Sequence, residues 1–364
     1  MRRGANVFVN NKQTIDFSHN DYLGLSQHPC VKKALSQAAL DVGFGSGSSP
    51  MVSGYSEATE TLEKQFARFI GYPKAMFFNS GYHANLAVTA LLSQTADMLV
   101  ADKYIHASML DGCRLAGVKL KRYRHQDLAA FKQVVSSLKA PSFCLSEGVF
   151  SMDGDVTPLG LLHHQLKGTW HQLVIDDAHG FGVLGKNGRG SVSHSGLTAK
   201  EVPICIVPLG KAMGGMGAMV CADETIIEKL IQFSRSYIYS TALPPALSLA
   251  LQTSLALLES ADDLRTRLLD NIHSFNRRCR QIGLKLISED DTPIRSLFIG
   301  DNHKACQIQQ KLSAGGFWVS CIRPPTVPEG TARLRVSLSA LHDQKTIEAL
   351  FVALVRFLND RQVH

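Results

Sequence analysis

Residues 174–182 read VIDDAHGFG, and the β-like run from Leu173 to Ile175 that leads into them carries Asp176 and His179 to the carboxyl end of a strand. That end is where α/β sheets place their binding sites. Downstream, residues 207–218 read VPLGKAMGGMGA, with Lys211 between small residues at the end of an apolar run. A lysine so placed can form a Schiff base with a carbonyl cofactor, and with the acid upstream it reads as a pyridoxal-phosphate lysine. Asp177 is the weaker of the two acids for such a role, because successive side chains of a strand point to opposite faces.

Outward from these stretches, apolar runs at 75–78, 98–101, 142–145, 173–176 and 204–207 alternate with amphipathic helical patterns. Residues 57–70 set Leu62, Phe66, Phe69 and Ile70 on one helical face, and 127–138 and 223–234 show the same period. Alternation of this kind predicts an α/β fold with a mainly parallel central sheet and helices on both faces. After Pro244 and Pro245 a helix to about 259 leads into a smaller α+β unit. In it, helices are expected near 265–281, 303–314 and 343–359, and strands near 284–288, 294–299, 317–321 and 332–337. The predicted division is an amino-terminal segment 1–25, a large cofactor-binding domain 26–250 and a carboxy-terminal domain 251–364. The stretch GFGSGSSP at 43–50 reads as a tight loop close to ligand.

At 364 residues with 45% hydrophobic and 19% charged side chains, the chain is an ordinary folded protein of about two domains. Its net charge of +7 is scattered, which argues against nucleic acid and fits a solvated basic surface, or else a polyanionic ligand such as coenzyme A or an acidic carrier protein. The eight cysteines lack CxxC spacing and read as free thiols of a reducing compartment. With no long apolar segment and no metal-ligand spacing, the expectation is a cytoplasmic protein with no membrane span and no metal.

NDYLGL (20–25), VSGY (52–55), SGYHAN (80–85), EGVFSMDGD (147–155), DDAHG (176–180), the Lys211 stretch and IRPPTVPEGTARLR (322–335) together resemble the α-oxoamine synthase family. The resemblance runs in order over nearly the whole chain. It implies the pyridoxal-phosphate transferase fold of type I and decarboxylative condensation of an amino acid with an acyl thioester. The match is nearest to the biotin-pathway branch, which joins L-alanine to a pimeloyl thioester borne on coenzyme A or an acyl carrier protein. Two alternatives stand beside it: a sister synthase that uses glycine or serine with another acyl-CoA, and a catalytically idle binding subunit of the same fold.

Carried over residue by residue, the resemblance makes Lys211 the covalent tether and general base, and Asp176 the partner of the cofactor's ring nitrogen. His179 would bond the phenolic oxygen, His106 would stack on the ring face, and Ser151 would sit beside the ring oxygen and the reacting carbonyl. The strand-to-helix step at 80–84 offers backbone N–H groups of Gly81 and Tyr82 to the phosphate. Ser240 and Thr241 match a pair that reaches the phosphate from a partner subunit, which implies a homodimer with a shared active site. Arg323 would grip the amino-acid carboxylate with its planar fork, with Asn20 alongside. The chain departs from the family at Pro208, where a threonine or serine usually gives the phosphate a hydroxyl, and at Ser48 and Pro50, in a loop usually richer in glycine. It also begins near the point where typical members have already spent an extra helical arm.

Overall fold

The computed structural model describes residues 2–9 and 12–359; Met1, Asn10, Asn11 and residues 360–364, which fall in the two terminal ranges proposed above, lie outside the described residues. The chain divides into two compact units. The larger comprises His28–Phe150 and Val156–Ser260, and the smaller comprises Met1–Gln27, Ser151–Asp155 and Ala261–His364.

The larger unit is built on a seven-stranded sheet: β1 (Lys74–Phe78), β2 (Met98–Asp102), β3 (Lys119–Tyr123), β4 (Phe143–Glu147), β5 (Gln172–Asp176), β6 (Ile204–Pro208) and β7 (Ala218–Ala222). Their order across the sheet is β1-β7-β6-β5-β4-β2-β3. β2 to β6 pair in parallel, and β7 runs antiparallel between β1 and β6. All five strands expected from apolar runs are present. Two more escaped that reading. β3, KLKRY, is an edge strand whose Lys119, Lys121 and Arg122 face solvent, a charged edge that resists further pairing. β7, AMVCA, is buried throughout but directly follows a glycine-rich turn that masks it.

Helices surround this sheet. Glu57–Ile70 begins at Ser56, whose side chain accepts from the Thr59 N–H, and ends at Gly71, which takes a left-handed φ of 85°. Its predicted stripe is buried: Leu62 and Phe66 are fully covered, and Phe66 packs on Phe181 with ring centroids 5.1 Å apart. Gly81–Leu92 and Ala107–Ala116 pack against each other so closely that a Cβ on Gly112 would fall 1.9 Å from Thr89 Oγ1. The expected loop at 43–50 is there only in part, since Pro50–Gly54 forms a single wide helical turn. Ser46 Oγ donates to Ala242 O at 2.6 Å and Ala242 N to Ser48 O at 2.9 Å, which fixes this loop to the Ser240–Thr241 segment.

In the smaller unit, Ala332–Ser337 pairs antiparallel with Ile294–Gly300 on one side and Ser320–Ile322 on the other. Helices Asp262–Gln281, Asn302–Ala314 and Gln344–Asn359 accompany them. The strand expected at 284–288 is reduced to one bridge between Leu286 and Leu297. The one expected at 317–321 splits, with Phe317–Trp318 pairing in parallel with Lys12–Asp16. All eight cysteines are free thiols, five of them buried. Among the described residues no helix is long and apolar enough to cross a membrane.

One buried acid secures the sheet edge. Among the described residues β1 has a partner on one side only, and its outward Phe77 N–H donates to Glu63 Oε1 at 2.7 Å, while Tyr55 OH donates to Glu63 Oε2 at 2.7 Å. Burial pushes the Glu63 carboxyl up to about 7, against the pull of these two bonds. A carboxyl raised on folding supports the native state while it can stay protonated, so this contribution is complete below the unfolded value and is lost as pH rises through about 7. Glu63→Gln, a permanent mimic of the protonated acid, is therefore expected to flatten the fall in melting temperature between pH 5 and pH 8. Parallel slopes for the two proteins would remove Glu63 from this role.

Candidate active site

Asp176 is the last residue of β5 and is 4% exposed. Its carboxylate accepts from Asn85 Nδ2 at 2.8 Å and from the Ala178 N–H at 3.1 Å. Asn85, on the inward face of Gly81–Leu92, also donates to Ser108 Oγ at 2.9 Å, and Ser108 Oγ lies 2.7 Å from His106 Nδ1. His106 caps Ala107–Ala116 by accepting from the Ser108 N–H at 3.3 Å. The hydrogen bonds thus join two of the residues expected from sequence, Asp176 and His106, through two that were not singled out. The missed signal was an asparagine among Ala84, Ala87 and Val88 on an apolar helical face.

The loop that presents His106 is braced at its base. Asp102, at the end of β2, accepts from the Tyr104 N–H at 2.8 Å and the Gln126 N–H at 3.0 Å, and pairs with His125 Nδ1 at 2.8 Å. Asp177 points the other way from Asp176, as strand alternation requires. It is fully buried and accepts from the Ser191 N–H at 2.7 Å and Ser191 Oγ at 2.5 Å, so its role is to hold a loop. His179 lies in the turn after β5 and is 4% exposed.

Lys211 is half-buried in the turn that joins β6 to β7. The turn is closed by Leu209 N to Gly217 O at 2.9 Å and Gly215 N to Leu209 O at 3.0 Å, and pinned by Ser254 Oγ donating to Met213 O. Ser80 caps Gly81–Leu92 by accepting from the His83 N–H at 3.2 Å. The first N–H groups of such a helix have no partner within it and point out of its end. Pro208, the last residue of β6, closes over that end: a Cβ on Gly81 would lie 2.7 Å from Pro208 Cγ. Tyr82 OH donates to Asp111 Oδ2 at 2.9 Å, which ties down the second residue of the helix. Thr241 O accepts from Asn79 Nδ2 at 2.9 Å, and the Thr241 side is exposed.

Ser151, Asn20 and Arg323 belong to the smaller unit. Arg335, not singled out from sequence, gathers the first two: its Nε donates to Ser151 O at 2.7 Å and its Nη2 to Asn20 Oδ1 at 3.2 Å. Tyr22 OH reaches the same Asn20 oxygen at 3.2 Å. Arg323 follows directly on Ser320–Ile322 and is exposed.

A buried acid closing one parallel strand and a lysine in the turn after its neighbour are the mark of a pyridoxal-phosphate enzyme of fold type I. The Aminotransferase class I and II family model matches residues 12–354, and the chain belongs to this family. It is 44% identical to the 8-amino-7-oxononanoate synthase of Saccharophagus degradans, over 96% of this chain and 88% of that one. To the synthase of the same name from Nitrosococcus oceani it is 42% identical, over 98% and 94% of the two chains. Among solved structures it is similar to 8-amino-7-oxononanoate synthase of Francisella tularensis, with 41% identity, a TM-score of 0.85 and coverage of 95% and 98%. Sphingomonas wittichii serine palmitoyltransferase superposes with a TM-score of 0.94 at 28% identity, covering 97% of this chain and 89% of that one. The resemblance read from the sequence motifs, and the fold it implied, are borne out.

The residues fit the cofactor. The two N–H bonds to Asp176 leave its carboxylate acceptor capacity for a protonated ring nitrogen, and the end of Gly81–Leu92 suits a phosphate dianion. With proline at 208, β6 brings neither hydroxyl nor N–H to that end. Pro208→Thr is expected to tighten pyridoxal phosphate binding roughly two- to tenfold, the worth of one added hydrogen bond of ~0.5–1.5 kcal/mol. Gly81→Ala should weaken it, because the new methyl meets a rigid ring. Titration of the apo-protein measures both, and an unchanged affinity in Pro208→Thr would mean that the phosphate's acceptors are already filled.

Proposed function

We propose that this protein catalyses the decarboxylative condensation of L-alanine with a pimeloyl thioester, releasing 8-amino-7-oxononanoate, carbon dioxide and the free thiol, as a step of biotin synthesis. The observation that carries the reading is the buried Asp176 carboxylate at the end of β5, paired in register with Ile206 of β6, the strand whose following turn holds Lys211. Near-full-length similarity to synthases of that name supports the choice among pyridoxal-phosphate reactions.

When bound, pyridoxal phosphate supplies an electron sink for charge that develops at the amino acid's Cα. Lys211 would tether the cofactor through its amine and would serve as general base for the Cα proton. Asp176 keeps the ring nitrogen protonated by a charge-assisted bond. His179 would bond the phenolic oxygen, His106 would cover one ring face, and Ser151 would attend the ring oxygen and the reacting carbonyl. Gly81 and Tyr82 offer backbone N–H groups to the phosphate. Arg323 takes the substrate carboxylate bidentately, with Asn20 beside it.

The protein acts as a homodimer in the cytoplasm, and Ser240 and Thr241 of the partner subunit complete the phosphate site. Exposed apolar side chains in the larger unit, with Phe44 at 93% and Tyr239 at 71%, support a covered face. The loop carrying Phe44 is bonded to the segment carrying Tyr239 through Ser46 and Ala242.

Lys211→Ala is expected to fold and to bind pyridoxal phosphate reversibly, so that dialysis strips it, and to lose turnover by several orders of magnitude, since tether and base vanish together. Substantial residual activity would move the base elsewhere. Thiol release is expected to be fastest with L-alanine and pimeloyl thioester. A methyl contributes only ~1–3 kcal/mol of discrimination, so slow turnover of glycine or serine should accompany it. Preference for glycine with acetyl-CoA, or for serine with palmitoyl-CoA, would assign a sister reaction.

A further inference from the structure

We propose that Asn85 is a positioning residue of this active site and, with Ser108, ties the Asp176 carboxylate and the His106 imidazole into one hydrogen-bonded unit of fixed polarity. The inference rests on the roles given above to Asp176 and His106.

The amide nitrogen of Asn85 carries two hydrogens and commits both, one to Asp176 Oδ2 at 2.8 Å and one to Ser108 Oγ at 2.9 Å. Having accepted one hydrogen bond, the Ser108 hydroxyl turns its own proton to His106 Nδ1 at 2.7 Å. The Ser108 backbone N–H points at the same nitrogen from 3.3 Å. Nδ1 is therefore an acceptor from two sides, and the neutral ring carries its proton on Nε2. The amide cannot be turned over while Asp176 is ionised. Reversed, Oδ1 would face a carboxylate oxygen at hydrogen-bond distance, which is repulsive.

Two further observations show that the donor pair is what the position is built for. Asn85 is 2% exposed, and its Oδ1 has no hydrogen-bond partner among the described residues. A fold avoids orphaned buried acceptors, and an aliphatic side chain would suit this face beside Ala84, Ala87 and Val88 without that penalty. The helix crossing is also matched to the bond. Asn85 and Thr89 stand one turn apart on one helix, Ser108 and Gly112 one turn apart on the other. Gly112 leaves room for Thr89 Oγ1, which donates to Asn85 O at 2.7 Å, and this close approach brings Ser108 within reach of the amide. Proton positions at the two catalytic groups are thereby coupled. Were the Asp176 carboxylate replaced by a donor, the amide could reverse, the Ser108 hydroxyl would turn to it, and His106 Nδ1 would lose its principal donor.

The test uses full-length holoenzyme labelled with 15N-histidine, with the His106 signal assigned by its loss in His106→Phe. The wild type is expected to show Nδ1 unprotonated. Ser108→Ala and Asn85→Leu are both expected to give a mixture of ring tautomers. In Asn85→Leu, kcat should fall about tenfold or more while KM for alanine holds within about twofold, the pattern of a displaced catalytic group. Ser108→Ala should lower kcat in the wild-type background and have no further effect in His106→Phe, the signature of action through His106. An unchanged His106 tautomer in Ser108→Ala, or an equal loss of kcat in both backgrounds, overturns the proposal even if Asn85→Leu fails to fold. Wild-type turnover of alanine with pimeloyl thioester is measured separately. Its absence would sink the functional reading and leave the tautomer result to judge the relay alone.

Discussion

Two carboxylates buried side by side at the end of one strand are the constraint around which the larger unit is arranged. Asp176 and Asp177 are 4% and 0% exposed, and carboxyl groups so buried call for hydrogen-bond donors. Strand alternation sends them apart, and the fold supplies each differently. Asp177 receives the Ser191 N–H and hydroxyl, yet burial still pushes it up to about 6. Its carboxylate also shapes the surrounding loop. A Cβ on Gly148, Gly180 or Gly190 would come within 2.5, 2.2 and 1.9 Å of it, so the backbone wraps an acid that side chains would displace. Asp176 receives one side-chain amide and one backbone N–H, which leaves acceptor capacity open. One acid organises the loop around it, and its neighbour keeps acceptor capacity open.

Much of this was legible in the sequence because the relevant signals are local. A strand of Leu, Val and Ile ending in acid, and a lysine among glycines after another apolar run, need no tertiary information. The helix at 57–70 was legible for the same reason: cap, stripe and terminal glycine all lie within sixteen residues. What stayed hidden depends on partners far away in the chain. Lys119–Tyr123 is a strand only because β2 lies beside it, and residues 284–288 fail to become one because only Leu286 bridges to Leu297. Asn85 closes the quoted stretch SGYHAN and Ser108 lies two residues past His106, but their significance lies in a bond to each other and, for Asn85, in a bond to Asp176, 91 residues on.

Buried arginines were the least readable feature. Hydropathy places arginine at the surface, yet Arg295 is fully covered, and Arg335 is 6% exposed. Arg295 is satisfied by Asn276 Oδ1, Thr292 Oγ1 and the carbonyls of Ser288, Asp290 and Ile294, and burial brings its guanidinium down to about 10. Arg335 similarly spends its donors on Ser151 O, Ser337 Oγ and Asn20 Oδ1. A guanidinium can satisfy several carbonyls at once through its rigid fork, which lets a short segment such as Ser151–Asp155 be clasped without regular secondary structure. Arg333 works alongside, pairing with Asp153.

The topology explains why these local devices meet. Because β7 runs antiparallel to both β1 and β6, those two strands point the same way as β2 to β5. The carboxyl ends of β1, β2, β5 and β6 therefore share one edge of the sheet, and each opens into a different working part. β1 leads to Ser80 and the helix end at Gly81, β2 to the Asp102-braced loop and His106, β5 closes on Asp176, and β6 turns through Pro208 to Lys211. Pro208 shows how tightly the edge is packed. It pairs across the ladder with Ala218, while its ring occupies the space over Gly81. A residue at this position thus sets the spacing between the lysine-bearing turn and the helix end, whether or not it contributes a hydroxyl. Substitution there acts on two parts of the site at once, because the Pro208 side chain reaches past β7, which lies between β6 and β1, to the helix end that follows β1.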